Sequence, residues 1–143
     1  MDTIYKELEE EKTSKQFVID ASALYPLLLR TDIDFLAKLL PKLCVLDLTK
    51  YEVGNAARYD KKMQSLESIM DDWGEILDNA SEESITSLSE VQKIAKEHSI
   101  TFYDAAYVQV AMHLGSKLVT MDREILEKFE NQAIDLNEFE VNL

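Results

Sequence analysis

"FVIDASALYPLLL", Phe17 to Leu29, carries the pattern that decides the fold. Phe17, Val18 and Ile19 form an unbroken apolar run containing two β-branched residues, as in a short strand buried on both faces. The run stops at a charge, Asp20. Ser22 then offers a cap for a helix over the apolar residues that follow. Pro26 lacks the amide that an interior helical position needs and costs least in a first turn, so the helix is expected to begin a little after Ser22.

The same strand-then-helix pattern recurs along the chain. "DIDFLAKLL" (Asp32 to Leu40) predicts a second short helix stopped by Pro41, and "CVLDL" (Cys44 to Leu48) a second strand. "TKYEVGNAAR" follows as a helix opened by Thr49. A long amphipathic helix is expected next, with Met63, Leu66, Ile69, Met70, Trp73, Ile76 and Leu77 on one stripe. "SLSEVQKIAKEHS" predicts a helix started by a Ser87 to Glu90 capping box, and "ITFYDAAYVQVAMHLG" another, with Asp104 as its N-cap. "KLVTM" reads as a third buried strand, "DREILEKF" as a helix, and "AIDL" as a last short strand. Buried strands separated by helices are parallel strands with helical crossovers, so the expected fold is α/β, a central parallel sheet covered on both faces.

The 143 residues, 46% of them hydrophobic, suffice for one domain with its own core. Residues 1–15, "MDTIYKELEEEKTSK", are set apart as a charged N-terminal tail or helix, leaving 16–143 as the domain. The single cysteine, Cys44, cannot form an intrachain disulfide, which is compatible with a reducing compartment. No stretch resembles a signal peptide, and no apolar run approaches the roughly 20 residues that span a bilayer, so a soluble, cytoplasmic protein without membrane contact is expected. Acidic residues number 28 against 15 lysines and arginines, a formal charge of −13, which repels nucleic acid unless positive charge is gathered locally. Arg30, Lys50, Arg58, Lys117 and Arg123 are placed by the sequence near the expected site and could form such a track.

In parallel sheets the functional crevice lies beyond the carboxyl ends of the strands. Four acids are expected there: Asp20 ends the first strand, Glu52 lies in the opening turn of the helix after the second, Asp122 follows the third, and Asp104 opens the helix leading into it. Each has an ordinary alternative. Asp20 could simply end a strand, Asp104 and Asp122 could be N-caps, and Glu52 could bond back to Thr49 in a capping box. Against these stands the cost of a lone charge beside apolar strand and helix residues. If the four converge, like charges within about 4–6 Å raise one another's pKa, and a divalent cation relieves the repulsion. Oxygen donors alone suit Mg²⁺ or Mn²⁺ rather than zinc, with His98 and His113 read as surface and packing residues. Such a site most often serves phosphodiester hydrolysis, with Ser22 and Thr120 as supporting hydroxyls or as helix caps. Isolated glycines exclude phosphate-binding loops, and no histidine is placed to activate a serine or cysteine.

The segments "FVIDASAL", "TKYEVGNAA", "TFYDAAYVQVA" and "KLVTMDREI", in this order and spacing, resemble the four acidic motifs of the PIN-domain family, in particular its VapC-type toxin ribonucleases. The resemblance spans Phe17 to Leu136. It implies a three-layer α/β/α sandwich and a Mg²⁺- or Mn²⁺-dependent endoribonuclease acting on RNA. Asp20, Glu52, Asp104 and Asp122 would be its metal-binding and catalytic acids, with Thr120 as the hydroxyl of the last motif. It also implies a homodimer and a cognate antitoxin, for either of which the stripe from Met63 to Leu77 would be a candidate surface. An RNA-processing or DNA flap nuclease, or an inactive PIN-like interaction module, are the alternatives.

Overall fold

The computed structural model describes residues 16–30, 32–63, 67–141 and 143; the tail at 1–15 and Leu66 of the amphipathic stripe lie outside them. Strands β1 (Phe17–Ile19), β2 (Leu43–Leu46), β3 (Ser81–Glu83), β4 (Leu118–Val119) and β5 (Ala133–Ile134) form one sheet in the order β3-β2-β1-β4-β5. Every pairing is parallel, with Val18 opposite both Cys44 and Leu118, and Ile19 opposite Val119. Successive strand residues point to opposite faces. Val18, Cys44, Leu46 and Leu118 enter one core, and Ile19, Leu43, Val45 and Val119 the other. That division explains why the central strands read as unbroken apolar runs.

Helices α1 (Ala21–Arg30), α2 (Ile33–Leu39), α3 (Thr49–Tyr59), α4 (Glu67–Leu77) and α8 (Leu136–Val141) contribute residues to the core that holds Ile19 and Val45. Helices α5 (Leu88–His98), α6 (Phe102–Leu114) and α7 (Arg123–Lys128) contribute to the core that holds Val18 and Leu118. The result is a three-layer α/β/α sandwich, as the resemblance implies.

Several elements differ from the sequence reading. Helix α1 begins at Ala21, before Ser22, and runs through Pro26. Asp20 caps it instead, its main-chain carbonyl accepting from the Leu24 amide and its carboxylate from the Ala23 amide. Pro26 costs a helix about 3 kcal/mol. Burial of Leu24, Leu27 and Leu28 on one face contributes about 1.5–3 kcal/mol each and outweighs that loss. Strand β3 was not expected, because "SEE" has no apolar signal; it is a polar edge strand whose charges discourage further pairing. The expected long helix is divided, with Met63 in a 3₁₀ turn and α4 starting at Glu67. Met63, Trp73 and Ile76 are buried in this chain's own core, with Ile69, Met70 and Leu77 packed against it. Packing within the monomer thus accounts for the described residues of the stripe.

Helix α8 was also not expected, and Leu136, read as the end of a strand, begins it. Phe139 of this helix is fully buried, its ring edge-on to Phe17 with centroids 5.1 Å apart. Phe139→Ala should cost about 3–5 kcal/mol in urea unfolding monitored by circular dichroism. An unchanged midpoint would show that α8 is not part of the core.

Candidate active site

The chain passes outward from β1 through β2 to β3, then crosses the sheet to β4 and β5, so the strand order reverses between β1 and β4. Crevices form at such reversals, outside the carboxyl ends of the strands. Asp20 leaves β1 there and Thr120 leaves β4, with Asp122 two residues on; the first turns of α3 and α6 bring Glu52 and Asp104.

Asp20 is only 5% exposed. Its Oδ1 accepts hydrogen bonds from Ser22 Oγ at 2.5 Å and the Ala23 amide at 3.2 Å, and its Oδ2 accepts from Thr120 Oγ1 at 2.6 Å. The two hydroxyls are themselves placed by backbone: Met121 N–H donates to Ser22 Oγ and Asp122 N–H to Thr120 Oγ1. Both hydroxyl protons go to Asp20, so the 3.2 Å approach of Ser22 to Thr120 is a contact across the clamp rather than another hydrogen bond. Burial above all, opposed by the hydrogen bonds and reinforced by the charge of Asp104, leaves the Asp20 carboxyl pushed up to about 6.

Glu52 is held differently. Thr49 does not cap α3 but is its first residue, and Glu52 forms no capping box with it. Thr49 Oγ1 accepts from the Leu46 amide at 3.0 Å and lies 2.8 Å from the Tyr107 hydroxyl, which donates to Glu52 Oε1 at 2.5 Å. Burial raises the Glu52 carboxyl above its ordinary value, the Tyr107 hydrogen bond lowers it, and Asp104 raises it again. Tyr107, to which the sequence reading gave no role, is raised in turn by its own burial and by the adjacent carboxylate. Its only signal was position, one turn along α6 from Asp104 and therefore on the same side of the helix.

Asp104 is not the N-cap of α6. Thr101 is, accepting from the Asp104 amide at 3.1 Å, so Asp104 stands in the third helical position. Burial lifts its carboxyl, a hydrogen bond with the Thr101 side chain opposes this, and the charges of Asp122 and Glu124 lift it further. Asp122 does cap α7, accepting from the amides of Glu124 and Ile125 at 2.9 and 3.1 Å. The structure therefore brings all four acids to one rim with Asp104 at the centre, acting on Asp20 and Glu52 and acted on by Asp122. Among the described residues, however, no group of three or more Asp, Glu, His or Cys side chains stands ready to hold a metal ion. The acids are electrostatic neighbours rather than a finished coordination shell.

The proposed positive track is only partly assembled. Arg30 ends α1 and pairs with Glu140 at 3.0 Å, and Lys117 precedes β4, at the opposite end of the strand from the acids, where it donates to the Asn131 carbonyl. Lys50 and Arg123 remain in the opening turns of α3 and α7. His98, read as a surface residue, is half-buried with its ring centroid 4.5 Å from that of Phe129, and His113, read as a packing residue, is exposed.

A PIN domain family model matches residues 17–131. Among curated proteins, "Exonuclease VapC9" of Pyrobaculum aerophilum is 36% identical over 135 residues, covering 90% of this chain and 96% of its own. "Ribonuclease VapC3" of the same organism is 35% identical over 101 residues, covering 62% of this chain and 72% of its own. The crystal structure of PAE2754 from Pyrobaculum aerophilum superposes with a TM-score of 0.76 at 35% identity, covering 90% of this chain and 96% of that one.

The Asp20 carboxyl titrates near 3.8 as a free side chain and at about 6 in the fold, so the native state binds this proton more tightly. The penalty on the ionised form is complete above pH 6 and disappears as the pH falls through 6 toward 3.8. In EDTA, Asp20→Asn should raise the melting temperature by several degrees at pH 7.5 and by much less at pH 4.5, read by scanning calorimetry. A lower melting temperature at pH 7.5 would contradict a destabilising charge at this position.

Proposed function

The chain belongs to the PIN domain family, and on that premise we propose that it is a metal-dependent nuclease that hydrolyses RNA phosphodiester bonds, the toxin of a toxin and antitoxin pair. One observation supports this most: Asp20, Glu52 and Asp104, from three separate elements at the carboxyl rim, are all raised by burial and by a neighbouring acid's charge. Perturbed titratable groups gathered in one crevice favour a functional site over three unrelated caps. The relatives named as an exonuclease and a ribonuclease agree with a nuclease reading.

The donor set fits Mg²⁺ or Mn²⁺, being all carboxylate and carrying four formal negative charges. A bound divalent cation would activate a water and neutralise charge on the phosphoryl transition state. Asp20 and Glu52 would supply anchored oxygens, because hydroxyl hydrogen bonds already fix them. Asp104 and Asp122, in the first turns of α6 and α7, would complete the set by closing on the ion. The RNA strand needs a different kind of surface. Tyr51 (74% exposed), Tyr103 (64%) and Met121 immediately precede Glu52, Asp104 and Asp122 and offer apolar faces on which unpaired bases would stack. The reading retains the homodimer and the cognate antitoxin, and the names VapC9 and VapC3 support the latter.

The test uses purified protein with linear and circular single-stranded RNA in Mg²⁺, Mn²⁺ or EDTA. Wild type should cut both substrates with metal and neither in EDTA, and Asp104→Asn should lose about 10²-fold or more in rate. An active enzyme that leaves circles intact would be an exonuclease, as the name of the VapC9 relative favours. Equal cleavage by wild type and Asp104→Asn would remove Asp104 from the site.

Binding should also depend weakly on salt. With Lys50 and Arg123 alone neutralising phosphates, the slope of log affinity against log salt is expected near about −1.4 for single-stranded RNA. A slope several times steeper would mean that a basic surface elsewhere holds the substrate.

A further inference from the structure

Tyr107 is 1% exposed and its ring belongs to the core beneath α6, yet its hydroxyl reaches past the end of β2 to α3. The donors and acceptors there can be arranged in one direction only. A carboxylate accepts and does not donate, so the Tyr107 proton is committed to Glu52. Thr49 Oγ1 already accepts from the Leu46 amide, leaving its own proton to donate to the Tyr107 oxygen. The chain of hydrogen bonds therefore runs from the β2 backbone through Thr49 and Tyr107 to Glu52 Oε1.

Core packing alone does not require this hydroxyl. A phenylalanine would fill the same space, and burying a phenol beside a carboxylate is worthwhile only if the carboxylate is to be held. The charge of Asp104 bears on Glu52, and a flexible glutamate could relieve it by turning outward. We propose that Tyr107, backed by Thr49, is a positioning residue: it pins Glu52 at the rim through Oε1 and leaves Oε2 to bind the cation. The inference rests on the nuclease reading above and extends it from the four acids to two hydroxyl-bearing residues of the same segments, Thr49 and Tyr107. Partners that orient metal-binding side chains typically contribute 10–100-fold to metal affinity or activity.

A double-mutant cycle on the full chain tests it, with Mn²⁺ titrated calorimetrically in the absence of RNA and cleavage followed in parallel. Tyr107→Phe should weaken Mn²⁺ binding about 10–100-fold and lower kcat, with KM for RNA unchanged and a melting temperature within a few degrees of wild type. In a Glu52→Gln background, adding Tyr107→Phe should change neither Mn²⁺ binding nor kcat further. Thr49→Val keeps the ring and its hydroxyl, and should act in the same direction but less strongly, which preserves the test if Tyr107→Phe is unstable. The proposal is overturned if Tyr107→Phe binds Mn²⁺ like wild type, or if its loss adds in full to that of Glu52→Gln. A wild type that neither binds Mn²⁺ nor cuts RNA overturns the nuclease reading and this inference together, a result distinct from an active enzyme indifferent to Tyr107.

Discussion

A carboxylate buried at the end of the central strand is the constraint on which the rest of the site depends. Asp20 follows β1, which lies between β2 and β4, and is nearly inaccessible to solvent. Keeping it ionised at neutral pH costs on the order of 3 kcal/mol, a sizeable part of the stability of an ordinary domain. The cost would be greater without two hydroxyls that donate to Asp20, Ser22 in the helix after β1 and Thr120 directly after β4. Both bridge the point where the strand order reverses. The clamp therefore exists only when the two strands are paired in register, which ties the geometry of the site to the pairing of Ile19 with Val119.

The four acids divide into two kinds. Asp20 and Glu52 are each fixed by a short hydrogen bond from a hydroxyl that another element carries: Thr120 beyond β4 for Asp20, and Tyr107 on α6 for Glu52. Asp104 and Asp122 sit in or before the first turns of helices, where amides partly offset their charge, and among the described residues no side chain from another element is hydrogen-bonded to them. A fixed pair and a more adjustable pair account for the lack of a finished three-ligand shell among the described residues. Helix α6 links the two kinds, since it carries both Asp104 and the hydroxyl that restrains Glu52.

Much of this was legible in the sequence, for reasons that differ between elements. Phe17–Ile19 and Leu43–Leu46 announced themselves because strands buried on both faces need apolar side chains at every position. Strand β3 did not, because an edge strand can be polar and is defined by backbone pairing with Cys44–Leu46 that no side-chain pattern reports. The acids stood out because charges next to buried strands are rare; the cap suggested for Asp122 is present, whereas those suggested for Asp104 and Glu52 are not. Asp104 read as a cap because aspartate favours that position, whereas Thr101, three residues earlier, holds it. Thr49 and Glu52 have capping-box spacing, and only the tertiary structure shows that Tyr107 occupies the carboxylate instead. The spacing within a helix is visible in one dimension; the partner across the sheet is not.

The net charge of −13 looks unfavourable for the RNA nuclease proposed above, but its effect depends on where neutralising charge is placed. Arg30 and Lys117, engaged by Glu140 and the Asn131 carbonyl, lie away from the rim, so the crevice stays acidic and attracts cations before it can tolerate a phosphate. Exposed aromatic faces bind bases without regard to this charge. On the proposed reading, substrate recognition and metal recruitment would rest on different surfaces: the exposed Tyr51 and Tyr103 for the one, the acids themselves for the other. For a nuclease of the proposed kind an acidic rim would be a condition of function, because adding lysines there would favour RNA binding while weakening the field that gathers the cation.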